Sequence, residues 1–444
     1  MNELRTAPVV RAEARPTSRT VFAPASGSGR SAVAVLRLSG PSVGPMLEAL
    51  AGRLPVPRRA SLRTLRAPHS GEKLDRALVL WFPAPASYTG EDCAELHLHG
   101  GNAVLEGVAS ALVAVGARPA EPGEFTRRAF LNGRMDLLQA EAVADLVDAE
   151  SSAQRRQALA QLEGKLGDIY RGWADRLLAL LADAEAAIDF SEDGVADPDN
   201  AAAIAGLRAE MRVHLADEHR GERLREGLTI VVAGPPNAGK STLVNALVGR
   251  EVAITAPTPG TTRDALETRI VLGGVPLTLV DTAGLRESSD PIEAEGVRRA
   301  RARLSAADLV ISVADATAPA PFALDVAAPV LALANKTDLA PPPAGTDLAV
   351  SALTGAGLAE LRTRLARTAE RLARNDGPPP LTRARHRSAL LEAEAALAAA
   401  ASAAAPELRA EDLRTALAAL GRITGAVGVE DILDRIFSTF CIGK

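Results

Sequence analysis

Residues 234–241 read Gly-Pro-Pro-Asn-Ala-Gly-Lys-Ser, the pattern of a phosphate-binding P-loop. The apolar run Leu228–Ala233 before it predicts a strand, and Ser241–Val248 after it has helical spacing. Backbone amides of such a loop and the N-terminus of the following helix bind phosphate oxygens. The Lys240 ammonium would reach the terminal phosphates, and the Ser241 hydroxyl would bind Mg²⁺. The other loop residues expected at the nucleotide are Asn237, Ala238, Gly239 and Thr242.

Motifs further along the chain indicate which base is bound. Asp281-Thr282-Ala283-Gly284 follows an apolar run and is placed to hold Mg²⁺ through water and to sense the γ-phosphate. Asn335-Lys336-Thr337-Asp338 follows another, and the Asp338 carboxylate can accept two hydrogen bonds from guanine. Adenine offers no such pair and would leave that charge unpaired. Ser351-Ala352-Leu353 would form the last loop over the base, so the sequence predicts GTP binding.

The motifs leave the route of hydrolysis open. Ras-type GTPases place a Gln directly after the Asp-x-x-Gly glycine, but this chain has Leu285 there. Thr262, in the run Gly260-Thr261-Thr262-Arg263-Asp264, is suited to complete the Mg²⁺ shell. Arg263 suits an internal arginine finger and a surface salt bridge about equally. The Asn237 amide oxygen suits a monovalent cation, which would neutralise developing charge.

Composition sets limits on the class of protein. A chain of 444 residues is too long for one ordinary core, so we expect two to four domains. The net charge of −5 gives no global signal for nucleic-acid binding, and no apolar run reaches membrane-spanning length. Cys93 and Cys441 are the two cysteines, which fits a reducing, cytoplasmic location without membrane contact. Residues 1–19 mix arginine with glutamate and predict a disordered tail rather than a transit peptide.

The pattern along the chain predicts a multi-domain α/β and α protein. Strand-like runs at Val21–Ser39, Leu74–Phe82 and Glu91–His99, with a helix at Ala103–Val115, predict a small α+β domain over residues 20–135. Residues 136–226 read as helical, with Leu137–Ile188 interrupted only by glycines 164, 167 and 172.

Residues 227–371 alternate strands and helices, which predicts a Ras-like P-loop domain on a parallel-rich, doubly wound sheet. Residues 372–444 form the last segment, which contains a linker at 375–380 and then returns to helix. We therefore expect a discontinuous helical domain, in two parts, with the nucleotide domain inserted between them.

Taken together, these motifs resemble the bacterial tRNA-modification GTPases of the MnmE (TrmE) family. The resemblance runs over nearly the whole chain from about residue 20. It rests on the loop with Asn237, the Gly260–Asp264 run, Asp281–Glu287 and the terminal Cys441-Ile442-Gly443-Lys444. Further matching runs are Leu36–Gly40, Tyr88–Asp92, Arg118-Pro119 with Gly123–Phe125, and Ala129–Asn132.

The resemblance implies a K⁺-activated GTPase whose G domains dimerise across the nucleotide. Glu293 matches the acidic residue that orients the attacking water, although from sequence alone a solvated helix-start glutamate is the better interpretation. The loop that approaches the nucleotide would consist of Ala256, Pro257, Thr258, Pro259, Gly260, Thr261 and Thr262. The implied K⁺ ligands are Asn237, Ala256, Thr258 and Thr261. The segment Ala256-Pro257-Thr258-Pro259 replaces the one usual in the family, and its two prolines stiffen the loop.

The resemblance also implies a tetrahydrofolate site and a constitutive dimer in the N-terminal domain. Arg37, Glu95 and Arg134 occupy the matching folate positions, and Lys444 would approach the same pocket. Cys441 would be a thiol nucleophile or a packing residue, and Cys93 a core residue. His97 and His99 lie on one face of a strand and could line the pocket, but a metal site would need a third ligand.

The implied function is that of the GTP-hydrolysing subunit of a wobble-uridine modification enzyme. It would add a carboxymethylaminomethyl-type group at C5 of uridine 34 of tRNA, with 5-formyl- or methylene-tetrahydrofolate as the carbon donor. The homodimer would form a heterotetramer with the FAD-dependent subunit MnmG (GidA), so FAD would enter only through the partner. The alternative is a regulatory GTP switch, such as a ribosome-assembly factor, which needs neither a folate domain nor the CIGK terminus.

Overall fold

The protein is described by a computed structural model over residues 19–27, 29–189, 200–217, 219–249, 267–281, 302–318, 326–373, 378–427 and 430–443. It divides into two compact units. Unit 1 comprises residues 1–144, 161–204 and 395–444, and unit 2 comprises residues 145–160 and 205–394. The domain boundaries given above stay a prediction.

The N-terminal part of unit 1 is a six-stranded sheet covered by helices. Its strands are β1 Val21–Pro24, β2 Ser31–Ser39, β3 Ser61–Arg66, β4 Lys73–Phe82, β5 Cys93–Gly100 and β6 Arg118–Pro119. They lie in the order β3-β4-β5-β2-β1-β6, antiparallel except for the β1–β6 pair. Its helices are α1 Val43–Ala51, α2 Asn102–Ala114 and α3 Glu124–Leu131. The buried core includes Leu36, Leu38, Leu96 and Leu98. The opposite sheet face carries Arg37, Glu95 and His97.

The predicted helical region is helical in the structure and divides into several helices. It forms α4 Leu137–Asp148, α5 Ser152–Leu162 and α6 Lys165–Asp189. Gly164 stands between two of these helices with φ +87°, a conformation that favours glycine. Gly167 and Gly172, which interrupt the run of helix formers in the sequence, lie inside α6. The next helices are α7 Ala201–Leu215 and α8 Arg220–Glu226.

Unit 2 contains the predicted doubly wound sheet. Its strands are β7 Leu228–Ala233, β8 Glu267–Leu272, β9 Val275–Asp281, β10 Leu309–Asp315, β11 Val330–Asn335 and β12 Leu348–Ala349. They lie in the order β12-β11-β10-β7-β9-β8, parallel except for β8. The helices α9 Lys240–Val248 and α10 Leu358–Ala373 contribute Leu243, Leu361 and Leu365 to its core. The sheet therefore brings the carboxyl ends of β7, β9, β10 and β11 to one edge, where ligands of such folds bind.

The C-terminal region is helical as predicted. It forms α11 Ala384–Ser402, α12 Pro406–Thr424 and α13 Glu430–Phe437. Within unit 1, α12 packs along α6, and Phe437 and Phe440 pack with Leu137 of α4. In the described ranges no helix is both long and apolar enough to cross a membrane.

Candidate functional site

The P-loop connects the buried strand β7 to α9, as its sequence predicts. Gly239 is the N-cap of α9 and has φ +83°, and Asn237 has φ +63°. A Cβ on Gly239 would lie 2.4 Å from the Asn335 Nδ2, so a side chain has no room there. Alternation of positive-φ residues with ordinary ones, as here, turns backbone amides of a loop toward one point, where an anion can bind. Asn237 itself is exposed at the loop surface.

Two polar side chains at the start of α9 lie where a phosphate and its metal would be. The Lys240 Nζ donates to the Gly234 and Pro235 carbonyls, both at 2.9 Å. Burial lowers the pKa of Lys240, and the charge of Asp281 opposes that shift. The Ser241 Oγ donates to the Asp281 Oδ2 at 2.5 Å. A hydroxyl and a carboxylate held this close form an oxygen donor set suited to Mg²⁺.

Asn335 connects three of the predicted motifs. Its Nδ2 donates to the Ala238 carbonyl of the P-loop at 2.9 Å, and its Oδ1 accepts from the Ala352 amide at 3.0 Å. The side chain is 2% exposed. It therefore ties the P-loop to the last predicted base loop, while Ser351 beside it is fully buried.

Lys336 has an acidic partner that the sequence analysis missed. Its Nζ donates to the Asp315 Oδ2 at 2.5 Å, and Lys336 has φ +61°. This hydrogen bond lowers the pKa of Asp315 to about 2, with help from Thr317. Asp315 ends β10, next to the end of β11 that carries Asn335. The sequence feature that could have indicated Asp315 is a carboxylate at the end of a strand of apolar residues.

The remaining predicted nucleotide residues fall into two groups. Asp338 and Leu353 are exposed, and the Thr337 amide donates to the Val350 carbonyl, so the base motif lies at the surface beside β12. Thr242, in the first turn of α9, is also exposed. The other predicted residues lie outside the described residues: Ala256, Pro257, Thr258, Pro259, Gly260, Thr261, Thr262, Arg263, Thr282, Ala283, Gly284, Leu285, Glu293 and Lys444.

A second pocket lies in the N-terminal sheet of unit 1 and contains three predicted folate residues. It has a volume of about 360 Å³, and Arg37, Glu95 and Arg134 all line it. Arg37 on β2 faces Glu95 on β5, and its Nη2 donates to the Glu95 Oε1 at 3.0 Å. The Arg37 guanidinium also lies 5.3 Å from the Tyr88 ring centroid and 5.9 Å from that of Phe125. The pocket is thus aromatic and polar, with Arg37 already neutralised.

Sequence analysis missed Arg58, which also lines this pocket. Its guanidinium lies 5.7 Å from the Phe82 ring centroid and donates to the Ala86 carbonyl. Arg58 has φ +61°, and its amide donates to the Trp81 carbonyl. No sequence motif marked it, because the pair Arg58-Arg59 between a proline and a polar strand carries no recognisable pattern.

The two histidines of β5 do not line this pocket as the sequence suggested they could. His97 Nε2 lies 3.4 Å from the Glu95 Oε2, and His99 Nδ1 lies 2.7 Å from the Asp75 Oδ1. Across the described residues no group of three or more His, Cys, Asp or Glu side chains could hold a metal ion. Cys93 is buried, as expected, with its sulfur 3.1 Å from the Thr89 Oγ1.

A buried polar network explains why several short motifs occur together in the N-terminal region. Ser39 Oγ contacts the Thr89 hydroxyl and the Glu91 carboxylate, both at 2.7 Å. Arg128, 2% exposed, donates to Glu91 at 2.8 Å and to Glu124 at 2.7 Å. Burial raises the pKa of Glu124, but hydrogen bonds from Arg118, the Glu121 amide and Arg128 outweigh it, and the pKa lies below its ordinary value. The network fixes the loop that carries Tyr88 in the pocket.

Cys441 and Gly443, near the C-terminus, lie against this same region of unit 1. The Gly123 amide donates to the Cys441 carbonyl at 3.4 Å, and a Cβ on Gly443 would lie 2.0 Å from the Pro24 carbonyl. The Cys441 side chain is exposed. Cys441 is not among the residues that line the Arg37 pocket.

Two protein-family models and several curated proteins match this chain over most of its length. The family model "GTP-binding protein TrmE N-terminus" matches residues 20–134, and the "MnmE helical domain" model matches residues 137–441. The curated protein "tRNA modification GTPase MnmE" of Gluconacetobacter diazotrophicus is 56% identical over 432 residues, 96% of this chain and 98% of its own length. The proteins of the same name from Methylobacterium radiotolerans and Rhodospirillum rubrum are 55% and 54% identical, over 96% of this chain and 99% and 100% of their own lengths.

This chain belongs to the MnmE family.

Membership in the MnmE family confirms the identification made from the motifs, and with it the multi-domain fold class. The chain is a GTP hydrolase involved in tRNA modification. The TrmE N-terminal match encloses the Arg37 pocket, and the helical-domain match encloses both the P-loop and the Asn335 motif. Each of the two sites therefore lies within a segment that the family defines.

Proposed function

We propose that the chain is the GTP-hydrolysing subunit of an enzyme that modifies C5 of uridine 34 in tRNA with a carboxymethylaminomethyl-type group. Its carbon donor is 5-formyl- or methylene-tetrahydrofolate, bound in the Arg37 pocket. Its partner is the FAD-dependent subunit MnmG, which supplies the flavin in a heterotetramer built on a homodimer of this chain. The observation that carries this proposal is a pocket lined by three arginines, a carboxylate and two aromatic rings, on a chain that also holds a P-loop.

In this proposal the nucleotide is GTP with Mg²⁺. Lys240 and the P-loop amides bind phosphates, and Ser241 with Asp281 holds the metal. Asp338 binds guanine, and the Asp315 carboxylate orients Lys336 through their 2.5 Å hydrogen bond. Asn237, Ala256, Thr258 and Thr261 bind K⁺, and Glu293 orients the attacking water. The exposed Asn237 amide supports the K⁺ role, because a cation ligand must be accessible.

The residues that line the Arg37 pocket suit a folate, but their roles differ from those expected from the sequence. Because Arg37 is paired with Glu95, Arg37 is not the free cation for the anionic tail. Glu95 would accept hydrogen bonds from pterin N–H groups, and the rings of Tyr88 and Phe82 would contact the planar ligand. Arg58 and Arg134, at the pocket wall, are then the cations that meet the glutamate carboxylates. Lys444 and the Cys441 thiol would act near the same ligand.

The exposed face of the N-terminal sheet supports the homodimer. Val33 on β2 and Leu78 on β4 are 53% and 42% exposed. In the strand register they lie opposite His99 and His97 of β5, on the same face of the sheet. Exposed apolar residues that cluster on one sheet face are typical of an interaction surface. A second copy of this chain would cover them.

Calorimetric titration of the full-length protein with 5-formyltetrahydrofolate tests the proposal. We expect saturable binding that Arg134→Ala weakens roughly tenfold, because it removes a charged partner of the ligand. Arg53→Ala, at an exposed arginine after α1, serves as the matched control and should bind like the wild type. If the wild-type protein does not bind the folate, the assignment of the Arg37 pocket as a folate site is wrong. The alternative of a regulatory GTP switch is then favoured.

A further inference from the structure

A cationic ribbon lies at one edge of the N-terminal sheet. The segment 58–76 carries six arginines or lysines and two acidic residues, a net charge of +4 in a chain whose net charge is −5. It contains β3 and the start of β4. β3 is the last strand in the sheet order, with β4 as its one neighbour among the described strands. An acidic chain thus presents a strongly positive edge.

Three of these cations line one pocket at the edge of the sheet. Arg63, Lys73 and Arg76 line a cavity of about 470 Å³ together with Thr64 and Asp75. None of the three side chains forms an ion pair or hydrogen bond with another residue in the described ranges, and the Arg63 Nε is buried without a partner there. A buried donor of this kind is normally satisfied, so an unpartnered one requires an explanation.

Asp75 does not neutralise these cations, although it lies in the same cavity. Its Oδ2 accepts from the His99 amide at 2.9 Å, while its Oδ1 contacts the His99 Nδ1 and accepts from the Arg76 amide, both at 2.7 Å. The side chain is 7% exposed. Burial raises the pKa of Asp75, but these hydrogen bonds outweigh it and leave the pKa below its ordinary value. Asp75 is therefore already satisfied by β5 and by the backbone.

Protection of the sheet edge does not account for this arrangement. Charged residues on an edge strand prevent pairing with another sheet, and scattered exposed lysines are enough for that role. Here Arg66 lies directly opposite Lys73, and like charges at opposed positions destabilise a strand pair. A buried Arg63 Nε adds a further cost without protecting the edge. An anion in the cavity would meet Arg63 and Lys73, which both line it, and would offset the cost at each.

We propose that Arg63, Lys73 and Arg76 form a phosphate-binding site for the backbone of the tRNA, an inference that rests on the proposed function. A guanidinium group can bind a phosphate through two parallel hydrogen bonds, and the Lys73 ammonium adds a compact charge. The acidic chain as a whole repels RNA, so contact requires a local cationic surface. Such contacts fix the position of the RNA without reading its sequence.

The test measures binding of an unmodified tRNA transcript to the full-length protein over a series of salt concentrations. Replacing Arg63, Lys73 and Arg76 by Gln should weaken binding roughly tenfold or more and reduce the salt dependence of log K by about 2 to 3. The matched control replaces Arg53, Lys165 and Arg414, all exposed, by Gln. It changes net charge equally and should leave the salt slope within about 1 of the wild type. Lys73→Gln alone alters one exposed residue and should reduce the slope by about 1.

The outcomes separate this inference from the proposed function. Unchanged tRNA affinity and slope in the triple variant and in Lys73→Gln would overturn the phosphate site, while GTP hydrolysis and folate binding on the same preparations would leave the proposed function intact. Loss of tetrahydrofolate pentaglutamate binding with unchanged tRNA binding would assign the cavity to the folate tail instead, and the inference would be wrong. A wild-type protein that binds no tRNA at low salt would overturn the phosphate site alone, because in the proposed function tRNA is the substrate of the whole heterotetramer.

Discussion

Asn237 is the residue that distinguishes this P-loop from a general one. It has a φ of +63°, and its side chain is exposed. Asn237→Gly keeps access to that backbone conformation and removes only the oxygen. We expect the variant to bind GDP within about threefold of the wild type, because backbone amides make the phosphate contacts.

The measurement for Asn237 is the rate of GTP hydrolysis in K⁺ and in Na⁺ at equal ionic strength. Wild-type turnover should be higher in K⁺, and Asn237→Gly should hydrolyse at the same low rate in both, since the cation would no longer be held at the phosphates. Equal wild-type rates in the two salts would contradict the role of K⁺.

Asn335 holds the nucleotide edge of unit 2 together through two hydrogen bonds. Asn335→Ala leaves the buried Ala238 carbonyl and the Ala352 amide without their partner, which costs about 1–3 kcal/mol. We expect a lower free energy of unfolding for unit 2 and weaker GDP binding, both measured by chemical denaturation with and without GDP. Leu339→Ala, four residues on and 70% exposed, is the control and should change neither. Wild-type stability in Asn335→Ala would show that the bridge contributes nothing.

At the scale of elements, the strands with apolar runs were predictable and the polar ones were not. β4, β5, β7 and β11 follow from their sequences, as does α2, because burial requires apolar residues at regular spacing. β3 reads Ser-Leu-Arg-Thr-Leu-Arg and was missed, since an edge strand with one buried residue, Leu65, has little apolar pattern. Gly167 and Gly172 each disfavour helix locally, yet packing of α6 outweighs that cost, and both lie inside the helix.

Gly123 fixes how α3 meets the C-terminal helix α13 within unit 1. It has φ +68°, and a Cβ there would lie 2.7 Å from the Phe437 carbonyl. Gly123→Ala therefore combines backbone strain of about 1–2 kcal/mol with overpacking of about 1–3 kcal/mol. Gly133 has φ +67° and no atom within 4 Å of its Cβ position, so Gly133→Ala isolates the strain alone. Thermal unfolding should give the larger loss for Gly123→Ala, and equal losses would rule out the contact with Phe437.

The Glu124–Arg128 pair should make the N-terminal element sensitive to acid. The pKa of Glu124 is lowered from an ordinary value of 4.5, so its contribution to stability is fully present above that pH. It is lost as the pH falls through the lower, folded pKa. Glu124→Gln also leaves the buried Arg128 with one partner fewer and should cost about 3 kcal/mol at neutral pH.

Urea unfolding between neutral pH and about pH 3 measures this contribution of Glu124. The difference in unfolding free energy between the wild type and Glu124→Gln should shrink below pH 4.5. Glu106→Gln, at an exposed position on α2, is the control and should follow the wild type throughout. A difference that stays constant with pH would contradict the assigned ionisation.

At the scale of the whole molecule, the sequence predicted both candidate sites but not all the groups that form them. The P-loop and the base motif are contiguous in sequence, so residue order alone located Lys240, Ser241 and Asn335. The Arg37 pocket includes residues of β2, β4, β5 and the loop between α1 and β3. Arg58 lies in that loop and lines the pocket only because the chain folds back there. Long-range placement of that kind leaves no local pattern. Asp315 and Arg58 were therefore found only in the structure.

The division into two compact units predicts two separable unfolding events. A ligand that binds only the native form stabilises the unit that contains its site, by about 2.7 kcal/mol at a concentration of 100 times its Kd. Lys240, Asn335 and Asp338 all belong to unit 2, and Arg37 and Glu95 to unit 1. Calorimetry of the full-length protein should therefore show GDP raising one transition and 5-formyltetrahydrofolate raising the other, with ATP raising neither. Asp338→Asn should remove the GDP shift and keep the folate shift, because it alters only the guanine contact. A single transition raised equally by both ligands would mean that the two units unfold as one.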